Sequence, residues 1–99
     1  MHHTVDQPVS GSVVRLARGD TLELRLRQRS PGHGWQVAMA PYGMDLLDDA
    51  PRAGTALRDA TRRLLFRAMR GGGGILRLER RHPFEESAER LDLLVAVGT

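Results

Sequence analysis

The chain has 99 residues and no cysteine, which suits one domain and removes disulfides, thiolate metal sites and a cysteine nucleophile together. All 15 basic residues are arginine, set against 12 acidic ones, for a net charge of +3. No apolar run approaches the roughly 20 residues that cross a bilayer, and the stretch from Met1 to Asp6 lacks the charged and apolar regions of a signal peptide. A cytoplasmic, membrane-free chain is the expectation.

Residues 1 to 11 are polar, contain Pro8 and show no period, so they read as a flexible lead-in to a domain spanning 12–99. Val14 and Leu16 begin a period of two, and Gly19 with Asp20 marks a turn. Leu22, Leu24 and Leu26 then alternate with Glu23, Arg25 and Arg27, the pattern of a strand with one face buried. The segment Ser30, Pro31, Gly32, His33, Gly34 is too rich in Pro and Gly for a regular element, and Trp35, Val37 and Met39 resume the alternation.

Pro41 to Gly54 carries Pro41, Gly43 and Pro51 at irregular spacing and reads as a long connection with at most one helical turn. From Ala56 to Met69 the residues satisfy two periods. Leu57, Ala60, Leu64, Leu65 and Ala68 sit at helical spacing, and Ala, Leu and Arg favour helix; read by alternation, Leu64, Phe66 and Ala68 share a strand face instead. Gly71 to Gly74 reads as a hairpin turn, Ile75, Leu76 and Leu78 as the next strand, and Leu91, Leu93, Val95 and Val97 as the last. Five or more strands joined by Gly/Pro turns point to an antiparallel sandwich or barrel, with Leu22, Leu24, Leu26, Trp35, Val37, Leu64, Phe66, Leu76, Leu78, Leu93 and Val95 in or near the core.

Candidate chemistry is sparse. The glycine run is followed by no Lys-Ser/Thr and opens a strand, so it lacks phosphate-loop geometry. His33 and His82 stand in separate loops without the spacing of a zinc pair, and Asp45, Asp48 and Asp49 lack the alternating ligands and central glycine of a calcium loop. Ser30 with His33 has no third orienting group. The expectation is therefore a non-enzyme with no metal and no cofactor.

Charge comes in alternating blocks. Five arginines stand against Asp20 and Glu23 between Arg15 and Arg29, and eight (Arg58, Arg62, Arg63, Arg67, Arg70, Arg77, Arg80, Arg81) stand against Asp59 and Glu79. A nucleic-acid or polyanion binding module is one reading of the second block. On a sheet, however, alternation would send Arg63 and Arg67 to one face and Arg62 and Arg70 to the other, which argues against a single footprint.

Two loops remain, each ending in an aromatic residue beside Pro or Gly: Ser30, Pro31, Gly32, His33, Gly34, Trp35, and Arg81, His82, Pro83, Phe84. At these loops the sequence resembles the chagasin family, immunoglobulin-like inhibitors of papain-type cysteine proteases. The first loop is similar to the family's Asn-Pro-Thr-Thr-Gly-Phe loop in length, Pro and Gly, with Gly32 and His33 in place of the threonines. Gly74, Leu76, Leu78, Arg81, His82, Pro83 and Phe84 resemble the strand and Arg-Pro-Trp loop, with His82 for arginine and Phe84 for tryptophan. Gly54 occupies the place of a third, glycine-rich loop.

The resemblance runs from about Val13 to Val97 and implies an all-β, immunoglobulin-like antiparallel β-sandwich, with a strand over 62–69. It implies reversible inhibition of a papain-like cysteine protease, its cleft plugged by Ser30 to Trp35, Gly54 and Arg81 to Phe84. The alternatives are a non-inhibitory protein-interaction domain and the arginine-rich polyanion module; the sequence does not fix the oligomeric state.

Overall fold

The structure, a computed structural model, describes residues 1–28, 35–52, 60–80 and 89–98. Eight strands follow one another: β1 His2–Asp6, β2 Val13–Ala17, β3 Thr21–Gln28, β4 Gln36–Met39, β5 Met44–Arg52, β6 Ala60–Ala68, β7 Gly72–Arg80 and β8 Glu89–Gly98. They form two four-stranded sheets in the orders β1-β3-β6-β5 and β2-β8-β7-β4. Lettered in chain order as A, A′, B, C, D, E, F and G, these are the A-B-E-D and A′-G-F-C sheets of an immunoglobulin-like sandwich.

The core lies where the alternation places it. Leu22 and Leu24 of β3 stand opposite Phe66 and Leu64 of β6, and all four are fully buried. Across the sandwich Leu76 and Leu78 of β7 and Leu93 of β8 are fully buried too. Each such side chain contributes roughly 1.5–3 kcal/mol on leaving water. Val37 packs against this cluster from β4 without being fully covered.

The conflict of periods in 62–69 resolves as strand. As the central strand β6, this segment pairs with β3 on one side and β5 on the other. Two ladders of backbone hydrogen bonds and one buried face outweigh a helix preference of a few tenths of a kcal/mol per residue.

Four expectations need correction. The connection expected from Pro41 to Gly54 contains the nine-residue strand β5. Its alternation is hidden by a bulge, since Leu46 faces Phe66 and Asp48 faces Leu65, leaving Leu47 as the extra residue. β5 is an edge strand, the position in a sheet where a proline is tolerated.

The lead-in expected over 1–11 contains β1, so the domain begins earlier than residue 12. β1 is tied mainly by polar contacts that hydrophobic periodicity does not register. The Asp20 carboxylate accepts the Ala17 N–H at 2.9 Å and the terminal ammonium at 2.9 Å, and lies 2.8 Å from His3 Nε2.

The sandwich is also not wholly antiparallel, because β1 with β3 and β2 with β8 pair in parallel. The reversal through Gln7, at φ 55°, makes this possible by turning β1 back into β2 on the other sheet.

Finally, Gly71 to Gly74 is no hairpin. β6 and β7 belong to different sheets, so the chain crosses between them near Arg70 and Gly71, and Gly72, Gly73 and Gly74 open β7. Gly73, at φ 131°, lies so close to β8 that a Cβ would fall 2.0 Å from the Val95 carbonyl oxygen. Gly72, at φ 117°, has open space around the same position. Gly72→Ala should therefore cost only the backbone strain, about 1–2 kcal/mol. Gly73→Ala should cost at least about 1 kcal/mol more in urea denaturation, since β7 must also move away from β8; equal losses would contradict this packing.

Candidate functional site

Register shows which strand ends lie together. Gln28, the last residue of β3, pairs with Ala60, the first of β6, and Arg52 at the end of β5 pairs with Thr61. In the other sheet Arg80 at the end of β7 pairs with Glu89 at the start of β8, and Gln36 at the start of β4 pairs with Glu79. The chain passes from Gln28 to Trp35 between these two groups, so the segments 29–34, 53–59 and 81–88 all depart from one end of the sandwich. Of the residues expected there, Ser30, Pro31, Gly32, His33, Gly34, Gly54, Arg81, His82, Pro83 and Phe84 lie outside the described residues. Trp35 is described.

Trp35 lies where the core expectation places it. It is only 9% exposed and belongs to the core cluster. The guanidinium carbon of Arg80 stands 5.1 Å from the centroid of its ring, the geometry of a cation–π stack. Arg80 Nη2 also donates to Glu89 Oε2 at 2.6 Å, and the Arg80 side chain is 12% exposed. Its Nε is buried without a hydrogen-bond partner among the described residues.

Beside this trio lies a cleft of about 430 Å³, bounded also by Pro8, Arg27 and Leu91. Arg27 comes from the first sheet, and Arg80 and Leu91 from the second, so the cleft spans the open end between them. Sequence reasoning did not place Arg80 or Glu89 in the site. The available signal was opposite charge on the two sides of 81–88, at the positions where a hairpin would bring its roots together.

Among the described residues, much of the arginine block is engaged within the fold. Arg62 Nη2 donates to Asp49 at 2.7 Å, Arg63 donates to Glu23 and lies 3.9 Å from Asp48, and Arg77 bridges to both oxygens of Asp92 at 2.9 and 3.4 Å. With Arg80 on Glu89, four of the eight arginines are paired with carboxylates, and Arg70 stacks on Tyr42 at 5.2 Å. Arg58 and Arg81 lie outside the described residues. The same contacts account for Asp48 and Asp49, which serve as partners of Arg63 and Arg62. Among the described residues no group of three or more His, Asp or Glu side chains is placed to hold a metal ion.

Geometry of this kind defines an immunoglobulin-like sandwich in which the strand ends flanking residues 29–34, 53–59 and 81–88 lie at one end, beside a stacked and ion-paired arginine. The same fold occurs in a cysteine protease inhibitor, EhICP2, from Entamoeba histolytica, with a TM-score of 0.79 and 17% identity over 98% of this chain and 95% of that one. It also occurs in amebosin, with a TM-score of 0.74 and 17% identity over 99% of each chain. No protein-family model matches the sequence, and no curated protein matches it. In its fold, then, the chain is similar to a cysteine protease inhibitor.

Asp20, Glu23 and Asp92 have pKa values below their ordinary ones. The Ala17 N–H, the terminal ammonium and the His3 ring hold Asp20 well below the carboxylate range. Burial pushes Glu23 up, but hydrogen bonds from Arg63 and Arg25 outweigh it and the net shift is downward. Hydrogen bonding from Arg77 lowers Asp92 against its own desolvation. A depressed carboxylate stabilises the fold fully above its unfolded pKa of about 4 and loses that contribution as pH falls through the folded value. Stability should thus hold steady from pH 7 to about 5 and fall below about 4. Asp20→Asn should flatten part of that fall, as read from urea midpoints across the range; an identical acid limb in Asp20→Asn would contradict the assignment.

Proposed function

We propose that the protein is a reversible, non-enzymatic inhibitor of papain-like cysteine proteases that binds through the loop end of its sandwich. The observation that carries this reading is the departure of segments 29–34, 53–59 and 81–88 from one end of a fold shared with a cysteine protease inhibitor. The residues of those segments suit the task. Pro31 and Pro83 each remove one backbone rotation, Gly32 and Gly34 permit close approach to a narrow cleft, and Phe84 offers apolar area at low entropic cost. A loop ordered before contact spends less binding energy on immobilisation. Inhibition of this kind needs neither cofactor nor metal, because the loops occupy the cleft and the catalytic cysteine does the chemistry in the enzyme alone.

Binding to nucleic acid is the weaker reading, since the pairing of Arg62, Arg63, Arg77 and Arg80 with carboxylates removes half of the cations it would use. Titrating papain and a cathepsin L-like protease with the purified protein should show stoichiometric, reversible loss of activity. Phe84→Ala should weaken inhibition by about tenfold or more if the ring is a buried anchor, and Gly32→Trp should abolish it by blocking close approach. Full protease activity at micromolar protein would reject the inhibitor reading and leave a non-inhibitory interaction domain; inhibition unchanged in both variants would reject the site.

A further inference from the structure

We propose that Arg80 is a positioning residue that joins the roots of the first and last recognition loops, so that the two are held as one unit. Trp35 follows the segment 29–34 and leads into β4; Arg80 ends β7 and Glu89 begins β8, on either side of 81–88. The guanidinium lies over the Trp35 ring at 5.1 Å and bonds to Glu89 at 2.6 Å, so one side chain, itself at one root of 81–88, touches the other root of that segment and the root of 29–34. Its role in recognition rests on the inhibitor reading; the linkage rests on the geometry alone.

The chemistry requires arginine. A planar guanidinium can lie flat on an indole while its edge donates to a carboxylate, whereas an ammonium offers a point charge that satisfies the second contact without the first. The ion pair alone would order little, because the Glu89 side chain is 51% exposed and such pairs are weakened by solvent. A largely desolvated stack on a buried ring is stronger than an exposed one. β4 and β7 are also hydrogen-bonded neighbours, with Gln36 opposite Glu79, so the stack lies directly beside an existing ladder and extends it toward the loops.

Trp35 is the sole tryptophan, so its emission reports on the stack directly. In Arg80→Lys and Arg80→Met the emission should move to longer wavelength and acrylamide quenching should rise about twofold or more, with the urea midpoint confirming that each variant is folded. Lysine should not rescue the wild-type signal. Glu89→Gln, at a half-exposed position, repeats the test without removing the guanidinium and should give a smaller shift of the same sign.

In protease titrations, Arg80→Lys should inhibit about tenfold more weakly through faster dissociation, although neither loop sequence has changed. Wild-type emission and quenching in Arg80→Lys would overturn the proposal. A wild-type protein that inhibits no papain-like protease would refute the inhibitor reading instead, and the fluorescence would still decide the linkage.

Discussion

The apolar layer between the β3–β6 pair and the β7–β8 pair is the constraint on which the other features depend. Leu22, Leu24, Leu64, Phe66, Leu76, Leu78 and Leu93 leave no surface to water, and they come from the inner strands of both sheets. In a chain without cysteine this layer must supply most of the stability that disulfides give to some small sandwiches. Because a one-residue slip would turn every leucine of a strand outward, the layer also fixes register. Register in turn determines that Gln28, Arg52, Ala60, Arg80 and Glu89 end or begin their strands at one end of the molecule.

Charge is arranged around that layer so that arginine and carboxylate meet across neighbouring strands. Arg77 stands opposite Asp92 in register, and Arg80 opposite Glu89. Glu23, 4% exposed on the outward side of β3, is covered by Arg25 from its own strand and Arg63 from β6. A buried carboxylate with two guanidiniums is tolerable where the same group alone would be costly. The arginine block that resembles a polyanion footprint in the linear sequence is thus distributed over sheet faces, with half of it paired to carboxylates within the fold.

Those strands whose apolar faces are regular were legible in the sequence: β3 shows three alternating leucines, β8 four alternating apolar residues, and β7 the pair Leu76 and Leu78. β6 was ambiguous, because Leu64 and Ala68 satisfy both periods, and only the resemblance in the flanking loops separated them. β5 was not legible, since its bulge at Leu47 breaks the alternation and its edge position leaves Leu46 and Leu47 about half exposed. β1 was hidden because it contributes one apolar residue, Val5, to the core and is otherwise held by its ladder with β3 and by polar contacts of Asp20. The glycine run misled because its freedom serves close approach of β7 to β8, as at Gly73, instead of a reversal. In the candidate site the loop residues were visible as Pro, Gly and aromatic clusters, whereas Arg80 and Glu89 acquire meaning only once β7 and β8 are paired.

The strand ends that flank the proposed recognition segments lie at one end of the fold, and the other end, around Gly19, Tyr42 and Arg70, carries turns between strands. The most direct test is to titrate isotopically labelled protein with a papain-like protease whose catalytic cysteine has been replaced by alanine, following backbone amide signals. The account predicts that perturbations concentrate from Gln28 to Gln36, from Arg52 to Ala60 and from Arg80 to Glu89, with the indole signal of Trp35 among them. Perturbations centred on the end that carries Gly19, Tyr42 and Arg70, or an absence of binding at high micromolar concentration, would contradict it.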